Sequence, residues 1–237
     1  MKAERVSCLD CVVRHCTVLK NCAPELLSQI NSKRSRLLFR KGQPIASSRM
    51  YFSGVYVLSS GIAKIYRSGP KGRQFIFRLI KEGDLFGYRM NSEEPGQHLA
   101  VDAVEDCEVC YIEKNDFEKA VNESPEVRQQ LLIFYHTELF ELLSRTCHLM
   151  QMNVRERIAD TLLYIFRTYQ QYQKGRQEIR ISLGRQDIAD LAGTTKEQVS
   201  RTITEFKSLG IIRASGKSLG MTAPETLRAI AGYGWND

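Results

Sequence analysis

No run of uncharged apolar residues in this 237-residue chain reaches the ~18 needed to cross a bilayer. The N-terminus, MKAERVSCLDC, carries charges where a secretory signal needs an apolar core. Both absences point to the cytoplasm and away from any membrane partner. Also missing are a nucleophile elbow, a phosphate-binding loop, a dinucleotide fingerprint and a zinc-hydrolase motif, so an enzyme reading has no positive sign behind it. His15, His98, His136 and His148 are scattered without paired ligand spacing. Haem ligation through one of them stays open as a sensing mode, but no motif supports it. No tract of the chain repeats or falls into low complexity.

What is present is a modest basic excess, 34 Lys and Arg against 27 Asp and Glu, for a formal charge of +7. It suits an anionic partner without specifying one. The seven cysteines are more informative. In a reducing compartment a disulfide framework is excluded, which leaves metal ligands, redox thiols or small apolar side chains.

Patterns along the chain divide it into four regions. Residues 1–24 hold Cys8, Cys11, Cys16 and Cys22, and Pro24 opens a short helix to Ile30. Residues 25–124 contain short apolar and β-branched stretches, punctuated by glycine roughly every ten residues. Turn-linked antiparallel strands have that spacing, so a β-barrel or β-roll is expected. Residues 125–152 switch to steps of three and four, the pattern of a long helix with an apolar stripe. Such a stripe packs either on its own β-domain or against a second copy. Its near-heptad register favours a homodimer seam along Leu132, Tyr135, Leu139, Leu142, Thr146 and Leu149. Asn153 and Glu156 have the spacing of a capping box and begin a new helix, Val154 to Tyr172, that opens the last region, 153–237. A β-branched segment, Glu178 to Leu183, follows Gly175.

Within that last region SLGRQDIADLAGTTKEQVSRTITEFKSLG reads as two helices around Gly193, which takes positive φ in a tight turn. Thr195 caps the second helix. Val199, Ile203 and Phe206 share one face, while Lys196, Glu197, Ser200, Arg201 and Thr204 share the other. The outer residues fit base-edge chemistry: Arg201 presents two donors to guanine, Glu197 accepts from the cytosine amino group, and Ser200 meets a base or the thymine methyl region. Lys196 and the helix N-terminus suit phosphate. Beyond Gly210, a hairpin with Lys217 at its tip reads as a wing. The competing reading is a β-roll module whose C-terminal helices bind protein.

The order of these elements, with KEQVSR on the second helix, resembles the CRP/FNR family of transcription regulators over roughly residues 25–232. The resemblance implies an α+β chain: an N-terminal double-stranded β-roll of the cyclic-nucleotide-binding, jelly-roll type, a long dimerisation helix and a C-terminal winged helix-turn-helix. It further implies a homodimer on palindromic double-stranded DNA, and RNA polymerase as a further partner. Glu197 to Arg201, as E-x-x-S-R, is similar to the FNR branch, whereas the cyclic-AMP receptor branch has glycine in place of Ser200. A TTGAT-type half-site is therefore expected. For the sensor, Gly83 and Asp84 match part of the family's cyclic-AMP pocket, but Gln97 and His98 stand where it has Arg and Ser. Without that cation cyclic AMP is expected to bind poorly. The FNR branch also implies a [4Fe-4S] cluster on Cys8, Cys11, Cys16 and Cys110, with Cys22 as the alternative third ligand. Zinc or redox thiols explain the N-terminal group equally well. Cys107 and Cys147 are expected to be small buried or half-buried side chains.

Overall fold

A computed structural model describes residues 7–47, 52–69, 72–88, 99–173, 179, 181–215 and 218–232. The expectations placed on Gln97, His98, Gly175, Glu178 and Lys217 lie outside the described residues. The chain divides into two compact units, Met1–Ile65 with Ile80–Glu141, and Tyr66–Leu79 with Leu142–Asp237.

After a short 3-10 turn, Val12–Cys16, come helix α1 (Pro24–Lys33) and strands β1 (Ser35–Phe39), β2 (Pro44–Ala46), β3 (Gly54–Ser60) and β4 (Ala63–Ser68). Strands β5 (Gln74–Ile80), β6 (Leu85–Phe86), β7 (Ala100–Ala103) and β8 (Cys107–Glu113) follow. They build two four-stranded sheets in the orders β1-β8-β3-β6 and β2-β7-β4-β5. This is the expected β-roll. Its first sheet is antiparallel, with Arg36 opposite Cys110 and Val57 opposite Cys110 on the other side. Side chains alternate across a strand, so Val55, Val57, Cys110 and Ile112 share one face. That face is covered by α1 and by α2 (Lys114–Glu123), through a core of Leu27, Ile30, Val57, Ile112, Phe117 and Val127. The sequence reading had no helix at α2. Its local signs are Phe117, Ala120 and Val121 at helical spacing in an otherwise polar stretch; the first two are buried and Val121 is partly buried against the same core.

Helix α3 (Pro125–Gln151) matches the long helix read from the stripe. Its apolar residues form two rows. Val127 and Leu131 are buried in the core of the first unit, whereas Leu132, Ile133, Leu139, Phe140, Leu142 and Leu143 are exposed. A purely local stripe therefore conflates a packed row with an open one.

In the second unit α4 (Val154–Tyr172) begins with the predicted box: the Asn153 side chain accepts from the Glu156 amide and Glu156 returns a bond to the Asn153 amide. Helices α5 (Arg185–Ala192) and α6 (Lys196–Ser208), the hairpin β9 (Ile212–Ser215) with β10 (Ser218–Met221), and α7 (Pro224–Ile230) complete it. The core is Ile158, Leu162, Ile165, Phe166, Ile188, Leu191, Val199, Ile203 and Phe206, each at most 3% exposed. Burying side chains of this size contributes about 1.5–3 kcal/mol each, enough to hold short helices that would not persist alone. The segment before α5, described at 179 and 181–184, has no strand. Ile181 and Leu183 are buried there, so their apolar character reflects the core rather than a sheet.

Candidate nucleic-acid interface and cysteine cavity

Helix α5 ends at Gly193, whose φ of +60° is left-handed. The left-handed backbone requires glycine there, and a Cβ would lie 2.7 Å from Leu149 Cδ2, so that leucine would have to turn aside. Two residues later Thr195 caps α6, its hydroxyl oxygen accepting from the Gln198 amide. The helix then shows the two faces expected of it. Val199, Ile203 and Phe206 are buried, joined by Thr202, while Lys196, Glu197, Ser200, Arg201 and Thr204 are exposed.

The exposed row is not uniform. Glu197 sits over the helix N-terminus, where its own backbone amide and the Thr195 hydroxyl hold its carboxyl below the usual carboxylate range. It is thus ionised throughout the neutral range. Thr204 donates its hydroxyl to the Ser200 carbonyl at 2.9 Å. Arg201 has no hydrogen bond or ion pair to any described residue, leaving its planar fork open to solvent. The helix is anchored from α4 by Arg155, whose Nε lies 2.8 Å from Glu205 Oε1 and whose guanidinium sits 5.3 Å from the Phe206 ring centroid. Sequence reasoning missed this anchor. Its only local sign is the pair Arg155 and Arg157 in the capped first turn.

The C-terminal unit is thus a two-helix element with a glycine turn, a buried inner face, an open outer face and a following hairpin. Residues 156–230 match the family model described as the Crp-like helix-turn-helix domain, and residues 36–124 match the cyclic nucleotide-binding domain. The chain belongs to the CRP/FNR family of transcription regulators.

CRP/FNR relatives align along nearly its whole length. The anaerobic regulatory protein of Aggregatibacter actinomycetemcomitans is 25% identical over 98% of this chain and 93% of its own. The fumarate and nitrate reduction regulatory protein of Salmonella typhimurium is 25% identical over 97% of this chain and 95% of its own. The structure of FixK2 from Bradyrhizobium japonicum superposes with a TM-score of 0.72 at 25% identity, over 83% of this chain and 96% of that one. As a CRP/FNR regulator the chain carries a DNA-binding helix-turn-helix, and the alternative of a protein-binding module is not favoured. No described helix is long and apolar enough to cross a membrane.

In the β-roll of this CRP/FNR regulator the N-terminal segment folds against α1, where the Cys8 amide donates to Asn31 Oδ1 at 3.0 Å. It closes a cavity of about 50 Å³ lined by Cys8, Cys11, Arg14, Arg34, Ser59 and Cys110, with apolar neighbours Leu27, Val57 and Ile112. Arg34 Nη1 lies 3.7 Å from Cys110 Sγ, and Ser59 Oγ lies 3.1 Å from the same sulfur. Burial pushes the Cys8 thiol up, partly offset by Arg34. Three of the predicted ligands, Cys8, Cys11 and Cys110, therefore share one cavity. The other two do not. Cys16 is exposed at the end of the 3-10 turn, beside Gly83. Cys22 is only 5% exposed and packs in the core with Leu27 and Ile30, its thiol also pushed up by burial.

Thiolates are the right donors for an iron–sulfur group, but among the described residues no three His, Cys, Asp or Glu side chains converge closely enough to hold a metal ion. The residues as arranged do not fit a four-thiolate cage. The expectation of a cluster on Cys8, Cys11, Cys16 and Cys110 is therefore not met in this conformation, because Cys16 is exposed and does not line the cavity. Cys107 is buried as expected, donating to the Ile62 carbonyl, and burial pushes its thiol up to about 12. Cys147 was expected to be buried or half-buried and is exposed on α3.

The seam residues also separate. Leu132, Leu139, Leu142 and Thr146 are exposed. Tyr135 is 37% exposed and donates its hydroxyl to the Tyr88 carbonyl at 2.8 Å. Leu149 is half-buried and lies over Gly193, toward the helix-turn-helix. Among exposed apolar residues of α3, the sequence reading omitted Ile133, Phe140, Leu143 and Met150 from the seam.

Proposed function

We propose that this protein is a homodimeric regulator that reads a palindromic, TTGAT-type site in double-stranded DNA with the outer face of α6. The observation that carries the reading is the row Lys196, Glu197, Ser200 and Arg201, exposed on a helix whose opposite face is buried. In this reading Arg201 donates to guanine O6 and N7, Glu197 accepts from a cytosine amino group, and Ser200 contacts the neighbouring base. Thr195, Thr204 and Lys196 face the backbone, and the helix N-terminus adds its dipole to phosphate binding. Lys217, which the sequence assigns to the turn of the wing, is the further phosphate contact in this reading. Two copies pair through Leu132, Leu139, Leu142 and Thr146 of α3, with Tyr135 at the edge; Ile133, Phe140 and Leu143 widen the surface. RNA polymerase is the further partner in the cytoplasm, and no catalytic step is involved.

The test is affinity for a TTGAT-type palindrome against a scrambled duplex as salt is raised. Arg201→Ala should cost about 1–3 kcal/mol per half-site and relax preference at one base pair in each. Lys196→Ala should weaken all duplexes alike and reduce the salt slope by about one per subunit. Equal affinity of the wild type for both duplexes at physiological salt would refute the reading.

The signal enters, in this reading, at the cavity of Cys8, Cys11 and Cys110. Three thiols and the Arg34 guanidinium around one small space support a thiol-directed signal over a cyclic nucleotide. Iron, sulfide and zinc analysis of anaerobically purified protein, paired with Cys110→Ser, tests it. A regulator whose response to oxidants and chelators is the same in Cys110→Ser would remove the cavity from the sensing path.

A further inference from the structure

The last carbonyls of a helix have no partner inside it. At the end of α5 they are taken by two arginines from other helices of the second unit. Arg145, on α3, donates Nη2 to the Leu191 carbonyl at 3.1 Å. Arg157, in the first turn of α4, donates Nε to the Ala192 carbonyl at 3.0 Å and reaches the Gly193 carbonyl with Nη2 at 3.5 Å. The third nitrogen of Arg157, Nη1, donates to the Met152 carbonyl at 2.8 Å. A single planar group thus ties the residue just beyond α3 to the end of α5.

Arg145 is bound on its other side as well. It donates to the Phe77 carbonyl of β5, and its guanidinium lies 5.2 Å from the Tyr164 ring centroid. The Tyr164 hydroxyl in turn accepts the Leu79 amide at 2.8 Å. His148 of α3 stands 3.2 Å from Asp160 of α4, closing the same corner. The bonds to Leu191, Ala192 and Gly193 join positive groups to the negative end of the α5 dipole, which makes them stronger and more directional than apolar packing. Neither arginine lies on the outer face of α6. The carbonyls they hold lead through Gly193 straight to Thr195, the cap of α6.

We infer that Arg157 and Arg145 are positioning residues that fix the angle between the second-unit end of α3 and α6, and so decide which half-site spacing the regulator accepts. The inference rests on the homodimer reading given above. In a two-fold pair joined along α3, that angle sets the distance between the two recognition helices. Half-sites repeat about every 34–36 Å along DNA, one helical turn, so a corner free to swing would tolerate spacers that a clamped one rejects.

The experiment uses full-length protein and palindromes whose spacers differ one base pair at a time, with a single half-site duplex alongside. The wild type should prefer its best spacer over one two base pairs away by about tenfold or more. Arg157→Ala and the double variant with Arg145→Ala should flatten that preference to about threefold or less while single half-site affinity and salt slope stay unchanged. Arg157→Lys keeps the charge but cannot make the three-way fork, so it should flatten the profile too, and it guards against a fold lost by the alanine variant. A spacer profile in Arg157→Lys identical to the wild type overturns the inference. A wild type that binds one half-site as tightly as any palindrome overturns the homodimer reading instead, and the inference with it.

Discussion

Replacing Leu139 with alanine should break the pairing of two copies without disturbing either one. Leu139 is 57% exposed, on the same open side of α3 as Leu132 at 66% and Leu142 at 43%. Covering a leucine completely contributes about 1.5–3 kcal/mol, so covering a little over half of one contributes roughly 0.9–1.7 kcal/mol. In an isologous pair every residue is present twice, which brings the loss to roughly 2–3 kcal/mol and the dissociation constant up by about 30- to 150-fold. Sedimentation equilibrium over a dilution series measures this directly, with thermal unfolding of the dilute monomer as control. More than half of Leu139 is open in its own chain, so monomer stability should fall by much less than pairing does. A dissociation constant within about threefold of wild type would refute the seam. An equal loss of monomer stability would show that Leu139 packs at home.

Cysteine alkylation followed by mass mapping should label exposed Cys16 and Cys147 first and buried Cys22 and Cys107 last; early labelling of Cys107 would contradict its burial. The Cys107 thiol, pushed up to about 12, holds its proton in the folded state after the unfolded chain has lost it. Its contribution is therefore complete below pH ~8.5 and declines from there toward pH 12, by about 1.4 kcal/mol per pH unit. Cys107→Ala should unfold with a shallower alkaline dependence, and identical slopes would refute the assignment. Asn153→Ala removes the side-chain acceptor of the Arg155 and Glu156 amides at the start of α4 and should cost about 1 kcal/mol in urea unfolding. Gly193→Ala forces a Cβ within 2.7 Å of Leu149 and into left-handed backbone, and should cost at least about 1–2 kcal/mol and weaken DNA binding with it.

The recognition helix was legible because its signals are local. Thr195, the row from Lys196 to Thr204 and the buried set Val199, Ile203 and Phe206 all follow from a period of 3.6 residues and a capping preference. The same holds for the Asn153–Glu156 box and for Gly193. The β-roll was legible from glycine spacing, although α2 was not, since three apolar residues in ten, two of them small or partly buried, make too weak a stripe.

What the sequence by itself determined, then, are features whose cause lies within a turn or two of chain: the starts of α4 and α6, the open and buried faces of α6, and the near-heptad register of α3. Only the tertiary structure decided which row of α3 is already covered, that Leu149 turns toward Gly193, and that Arg145 and Arg157 cap α5. It also decided which cysteines meet. Cys8 and Cys11 reach Cys110 because the N-terminal segment folds back onto the face that strand pairing gives to Val57 and Cys110, about a hundred residues away in sequence, while Cys16 sits on the far side of a 3-10 turn. Periodicity fixes the direction of a side chain relative to its own helix or strand. Which partner stands in that direction depends on how distant segments pack, and no local spacing records it.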